Sequence, residues 1–523
     1  MPRALSKYLA VGLAALLAQP ALAEPDKAAK IVIGWAGPFD TLNPATTGNR
    51  NVGPINLNIF DTLVWLTPDF QVTPGLATKW EISDDKKTYT FTLKEGVSFH
   101  DGTPFDAEAV VANFAYITNK TTQSKISLSL IGSCITATAV SKYVVQVSCS
   151  SSYAPLLVQL GEPYLGMQSP KAIKDYGPDL GLHPVGTGPF SFVSYQAGQS
   201  LVLKRNDAYM WNPPATKFNG PPDIAQLTFQ IVSSAQARVS QFQAGQSEVI
   251  QDVPGVFWGA LGKMNRFNSI AMPITGMGIF APINAGSFPT DDIAVRKAIQ
   301  YAVDKKGVVQ LADAGAYPVS NTPLVTGMIG YDAALEDAYP FDPAKAAAVL
   351  KDAGWTKPGE FWEKDGKRLA LKITAISTST SYPLLAQAIQ GYLRKAGMDA
   401  TVEQMATPAW LAANIKGDMS LTPLQYIGVD PDALRLWFTP DQYFNWSHFS
   451  DPALTKLLLD GQQELDPAKR VAIYAQAQKI IMDQAIELPI RQNVDLIMTS
   501  KKLTGLSYSG GGFAYFGAAT MEK

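Results

Sequence analysis

Few residues of this chain stand at a spacing that does chemistry. Ser83, Asp84, Asp85 and Lys86 spell S-x-x-K, the arrangement in which a lysine activates a serine nucleophile. They directly precede the alternating run TYTFTL (88–93), so a solvated turn before a strand is expected instead. VGTGPF (185–190) contains G-x-G, but Phe190 and Ser191 stand where a dinucleotide site needs a helix opening and a third glycine. A tight turn is the expectation there. The three histidines are scattered: His100 in SFHDGTPF, His448 in WSHFSDP, and His183 before Pro184. Each is expected to be a structural, hydrogen-bonded imidazole or a loop residue. No HExxH, CxxC, GxSxG or P-loop pattern occurs, and two cysteines cannot build a four-cysteine zinc site. The reading is of a protein with no catalytic residues, no metal and no cofactor.

The two cysteines carry a different message. Cys134 and Cys149 flank ITATAVSKYVVQVS, whose halves alternate like paired strands. A turn centred on Ser141-Lys142 would set the two directly opposite, although a hydrogen-bonded pair holds its Cα atoms wide for a disulfide and another turn length remains open. In an oxidising compartment a disulfide is expected; two buried thiols are the alternative.

The N-terminus indicates that compartment. Residues 1–23 read MPRALSKYLAVGLAALLAQPALA: Arg3 and Lys7 precede an apolar stretch from Leu9 to Ala18, and Ala21-Leu22-Ala23 offers a small-x-small cleavage site. The apolar run is short of the ~20 residues that span a bilayer, and no cysteine follows it to take a lipid anchor. A cleaved signal peptide and a periplasmic, unanchored product are expected. The chain has 523 residues, of which 46% are hydrophobic and 17% charged, against ~25% charged in typical domains. It is therefore globular rather than disordered. With 43 Lys+Arg against 45 Asp+Glu, a net charge of −2, nucleic acid is excluded as an expected partner.

These residues must be positioned by a mixture of helices and strands. FDPAKAAAVLKDAGW (341–355) sets Asp342 at an N-cap, Pro343 in the first turn and Gly354 past the last. Asp451-Pro452 and Asp466-Pro467 repeat the grammar, and further helices are expected over 106–117, 234–244, 291–312 and 384–396. Strands are expected at 31–35, 88–93, 201–205, 226–232 and 369–376. Their interspersion predicts an α/β architecture.

Several segments, in order along the chain, resemble extracellular solute-binding protein family 5, the peptide/nickel-type substrate-binding proteins of bacterial ABC importers. They are TLNPAT (41–46), NIFDTLVWLTPDFQVTPGLATKW and its continuation to residue 114, HPVGTGPFSFVSYQAGQSLVLKRNDAYMW (183–211), DIAVRKAIQYAVDKKGVV (292–309), and FNWSHFSDPALTKLLLDGQQELDPAKR with its continuation to residue 490. The resemblance implies a two-lobe periplasmic binding protein fold with two hinge crossings, near Met277–Asn284 and Glu487–Arg491. Lobe I would comprise 24–281 with 487–523, and lobe II 282–486. It also implies a likeness in function: capture of a small-molecule ligand between the lobes and delivery, as a monomer, to an inner-membrane permease with its ATPase. An exported hydrolase acting on a peptide or glycoside is the alternative.

Peptide-binding members of that family carry a W-x-x-D-Y-x-D-P-like stretch whose first Asp holds the peptide's α-ammonium. Here the matching residues are Leu424, Gln425, Tyr426, Ile427, Gly428, Val429, Asp430 and Pro431. Ile427 cannot pair with an ammonium, so binding of ordinary peptides by that device is not expected. Asp430 persists, with helix capping as its alternative role. The candidate ligand contacts are Phe39, Asp40 and Tyr164 from the first lobe and Gln425, Tyr426, Ile427, Asp430, Arg435, Trp437 and Trp446 from the second. Such rings and amides would suit a sugar or sugar conjugate, while Asp40 or Arg435 would anchor an opine-like compound or modified peptide.

Overall fold

The computed structural model describes residues 25–124 and 126–523; the expected signal peptide lies outside them. The expected Asp caps are present. Asp342, Asp451 and Asp466 accept from the amides of Lys345, Leu454, and Ala468 with Lys469. The helix expected over 291–312 is instead two, Ile293–Ala302 and Lys305–Asp313. Asp304 breaks it by accepting from the Gly307 amide, a side-chain bond that starts a new helix.

The central sheet has eight strands in the spatial order Leu424–Ile427, Phe267–Pro282, Glu487–Ser500, Val249–Ile250, Lys30–Trp35, Gln226–Ile231, Ser200–Arg205 and Phe190–Gln196. Lys30–Trp35 runs parallel to both its neighbours; the remaining pairs are antiparallel. Beside it, a four-stranded antiparallel sheet carries Thr88–Leu93 at its interior. There Tyr89, Phe91 and Leu93 alternate into a core shared with Phe114 of helix Ala107–Thr118. Across the molecule, the parallel strands Ala370–Ile376 and Asp399–Met405 flank helix Tyr382–Lys395 and bury Leu371, Ile373, Leu385 and Ile389 in a separate core.

Two lobes are thereby built on separate hydrophobic cores and share the strands Phe267–Pro282 and Glu487–Ser500. These two pair from Phe267–Ser500 to Ile274–Asn493, lose register, and resume at Ile279–Arg491. The slip is a bulge at Thr275–Gly278, in which Gly276 and Gly278 have φ of 127° and 70°, a region that only glycine enters freely. A Cβ at Gly278 would lie 2.6 Å from the Arg491 carbonyl oxygen.

Cys134 and Cys149 are joined, but not by the expected register. Thr136 pairs with Ser148 and the tip pair is Ser141–Val144, with a bulge between Ala139 and Ser141. The turn is Lys142-Tyr143, so the cysteines lie diagonally just beyond the ladder rather than opposite one another.

Candidate functional site

The residues first suspected of chemistry are engaged elsewhere. Ser83 Oγ donates to Asp85 and accepts from the Thr88 amide, closing a turn. The VGTGPF segment runs into strand Phe190–Gln196 and opens no helix. His100 is fixed between Gly188 and Gly186: its Nε2 lies 2.9 Å from the Gly188 oxygen, and Nδ1 accepts from the Gly186 amide at 3.4 Å. His183 stacks on Tyr176 at 4.2 Å, and His448 Nε2 lies 3.3 Å from the Asn414 oxygen.

A cavity of about 880 Å³ opens where the crossing strands lose register, between the two lobes. Of the residues singled out in the sequence, Tyr164, Gln425, Tyr426, Ile427, Asp430 and Arg435 line it. The structure places Phe39, Asp40, Trp437 and Trp446 outside the lining. Phe39 packs against Trp35 and Tyr195 with ring centroids 6.5 and 5.3 Å away. Asp40 is exposed and organises its own loop, accepting from the Thr41 and Gly48 amides and the Thr47 hydroxyl. Trp437 and Trp446 are 1% and 2% exposed; they meet each other, Phe280 and Trp410 edge-on, and Trp437 stacks beneath Phe444 of the cavity wall. Tyr426 reaches the cavity from this aromatic layer, 5.6 Å from Trp437 and 5.8 Å from Phe444.

Two of the suspected charges are already paired. Asp430 receives two hydrogen bonds from Arg470, at 2.6 and 2.7 Å, and one from the Asp432 amide. Arg435 donates twice to Asp432, each bond 2.8 Å long. Arg491, at the crossing, pairs with Asp313 at 2.8 Å and lies 3.7 Å above the Tyr317 ring.

Four further lining charges remain without an ion-pair partner among the described residues: Arg50, Glu162, Asp252 and Asp495. Arg50 donates to the Gly511 carbonyl at 2.7 Å and lies over Phe513 at 4.3 Å. Burial lowers its pKa, against the attraction of Tyr164 and Glu162. Glu162 is pushed up to about 7 by burial, with Arg50 opposing. Asp495 is likewise pushed up to about 7, by burial and then by the charge of Asp252. Burial also raises Asp252, against the pull of Arg238 and Arg50. The two aspartates touch through the Asp252 amide, which donates to Asp495 at 3.3 Å. Asp252 holds a left-handed backbone, φ 51°, with its carbonyl accepting from Arg238 at 3.2 Å.

These charges were missed in the sequence, yet two had a signal. Arg50 is the only basic residue between Lys30 and Lys79, and Glu162 the only charged residue between Lys142 and Lys171. A charge isolated in such a stretch is carried into the interior with it. Among the described residues the lining offers carboxylates, guanidiniums, amides and rings, and no His, Cys or Lys.

Comparison with known proteins agrees with this geometry. The profile described as bacterial extracellular solute-binding proteins, family 5 Middle, matches residues 71–445. A glutathione-binding protein, GsiB, of Salmonella paratyphi A is 28% identical over 514 residues, covering 95% of each chain. The nickel-binding periplasmic protein of Escherichia coli is 28% identical over 489 residues, covering 88% of this chain and 90% of its own. The crystal structure of NikA from Brucella suis in complex with Fe(III)-EDTA superposes with a TM-score of 0.84 at 26% identity, covering 94% of this chain and 99% of that one.

Proposed function

Because the chain belongs to family 5 of the bacterial extracellular solute-binding proteins, a family of importer components and not of enzymes, we propose that it captures a small, charged organic solute between its lobes. It then presents that solute to an inner-membrane permease and ATPase. The observation that carries this reading is the cavity, lined from both lobes and placed where the crossing strands bulge. Closure there would remove the solute from water, and the closed form would be the one the permease reads.

The bulge at Thr275–Gly278 and its partner segment Arg491–Asn493 support boundaries close to 24–281 with 487–523 for lobe I and 282–486 for lobe II. Export by a cleaved leader, residues 1–23, into the periplasm and action as a monomer complete the reading. No helix among the described residues is long and apolar enough to cross a membrane.

Among the candidate solutes, an opine-like compound or a modified peptide suits the lining better than a sugar. A neutral ligand would leave Arg50, Glu162, Asp252 and Asp495 desolvated and uncompensated, which is costly. Ile427 on the cavity wall supports the expectation that free peptides are not anchored there by their ammonium. Native mass spectrometry of gently purified protein, with small-angle scattering before and after ligand removal, tests the function. A stoichiometric small molecule and a smaller radius of gyration when bound are expected. An unchanged radius with the copurified solute bound would refute closure, and turnover of that solute would refute the assignment.

A further inference from the structure

The unpaired charges of the cavity are unequal in sign. Arg435 and Arg491 have carboxylate partners, and Asp430 and Asp432 have guanidinium partners, Arg470 and Arg435. What remains is one cation, Arg50, against three carboxylates, Glu162, Asp252 and Asp495. Among the described residues Glu162 Oε1 has no hydrogen-bond partner, and neither do two donors on further lining residues, Asn493 Nδ2 and Trp35 Nε1; all three residues are more than nine-tenths buried. Buried polar atoms are seldom left unmatched, and here they border a cavity large enough for an amino-acid-sized solute.

We propose that Glu162, Asp252 and Asp495 form the recognition site for a cationic group, and that Arg50 with the free Asn493 and Trp35 donors takes a carboxylate of the same solute. The proposal rests on the solute-binding reading above and names its substrate class: a basic amino acid or an N-carboxyalkyl derivative of one, bearing an ammonium or guanidinium. Glutathione, with two carboxylates against one ammonium, has the opposite charge balance from the one this cavity needs.

Protons follow from the same arrangement. Asp495 faces Asp252, Arg50, Tyr317 and Tyr508; Asp252 faces Arg238 as well as Arg50 and Tyr317; Glu162 faces Arg50 and Tyr164. In the empty cavity Glu162 and Asp495 retain protons up to about pH 7, and burial raises Asp252 above the usual carboxylate range. A bound cation favours their ionised forms, so binding releases protons and weakens as the pH falls through that range.

The probes are arginine and its N-α-carboxyethyl derivative, their ureido counterparts citrulline and N-α-carboxyethyl citrulline, and glutathione, titrated calorimetrically against the full mature protein stripped of ligand. At least one cationic probe is expected to bind, at least tenfold more tightly than its ureido counterpart and than glutathione. Its affinity should fall at least tenfold from pH 8 to pH 6. Heats measured in buffers of different ionisation enthalpy should reveal proton release. Asp495→Asn and Glu162→Gln should each lose at least tenfold in affinity while the empty proteins unfold at or above the wild-type temperature, since each exchanges a buried ionisable carboxyl for a neutral amide of the same size. Equal binding of a ureido probe or of glutathione, pH-independent affinity, or no binding of either cationic probe would overturn the proposal. In those cases copurification of another solute would leave the solute-binding reading standing, whereas turnover of the copurified solute would remove both.

Discussion

Replacing Arg470 by Met separates a structural role for Asp430 from a ligand-binding one. The pair is bidentate, with side chains only 7% and 2% exposed, and Arg470 Nε also donates to the Gly461 carbonyl at 2.8 Å. Arg470→Met leaves Asp430 buried beside Asp432 without its counter-ion, with helix Pro467–Asp483 no longer tied to the cavity wall. Two charge-assisted hydrogen bonds at about 1.5 to 3 kcal/mol each and the cost of orphaning one member of a buried pair, about 3 to 5 kcal/mol, converge on a loss of about 4 kcal/mol. The double variant Asp430→Asn with Arg470→Met contains no orphaned ion, so it should recover about 2 kcal/mol of that loss. Urea unfolding followed by tryptophan fluorescence reads both values from midpoints at constant slope. A cost under about 1 kcal/mol for Arg470→Met would refute the structural assignment. So would an Asp430→Asn protein of unchanged stability that has lost its solute, because Asp430 would then be a ligand contact.

Tyr426→Ala should weaken solute binding by roughly 1 to 3 kcal/mol through lost contact area without unfolding the protein; titration of the copurified solute checks it, and unchanged affinity would remove Tyr426 from the site. Gly278→Ala forces a side chain to φ 70° beside the Arg491 carbonyl, and should cost at least about 1 kcal/mol from the left-handed backbone alone, read from the melting temperature. Opening the disulfide with paired Cys134→Ser and Cys149→Ser frees a loop of sequence separation 15, for an expected loss of about 3 kcal/mol; thermal melts of the variant, and of wild type with and without reductant, measure it. Burial depresses His100 to about 4, against its bond to Gly188, while an unfolded histidine titrates near 6.5. The unfolded chain therefore takes up the extra proton as pH falls between these values, and His100 should subtract up to about 3 kcal/mol of stability between pH 7 and pH 4. His100→Asn should flatten that part of the profile, and identical slopes for the two proteins would contradict the assignment.

Local chemistry was legible in the residues themselves. An Asp before a Pro caps a helix through contacts within three residues, so Asp342, Asp451 and Asp466 could be placed without any knowledge of the fold. The cavity is different in kind, because its lining is selected by which face of an element meets the other lobe. Trp437 and Tyr426 belong to one aromatic cluster with rings 5.6 Å apart, yet Tyr426 reaches the cavity and Trp437 is core; composition gives both the same weight. Asp430 and Arg435 are candidate ligand contacts in the sequence, with helix capping the alternative for Asp430, because their partners, Arg470 and Asp432, are assigned only by packing. Asp252 and Asp495 meet across 243 positions of sequence, brought together by adjacent sheet strands whose pairing no local pattern encodes. Arg50 and Glu162 could have been suspected. An isolated charge in a stretch otherwise lacking its kind must be desolvated when that stretch is buried, and it persists there only with a compensating group. Where the described residues supply no ion-pair partner, as for these two, the proposed site leaves that compensation to the solute that enters the cavity.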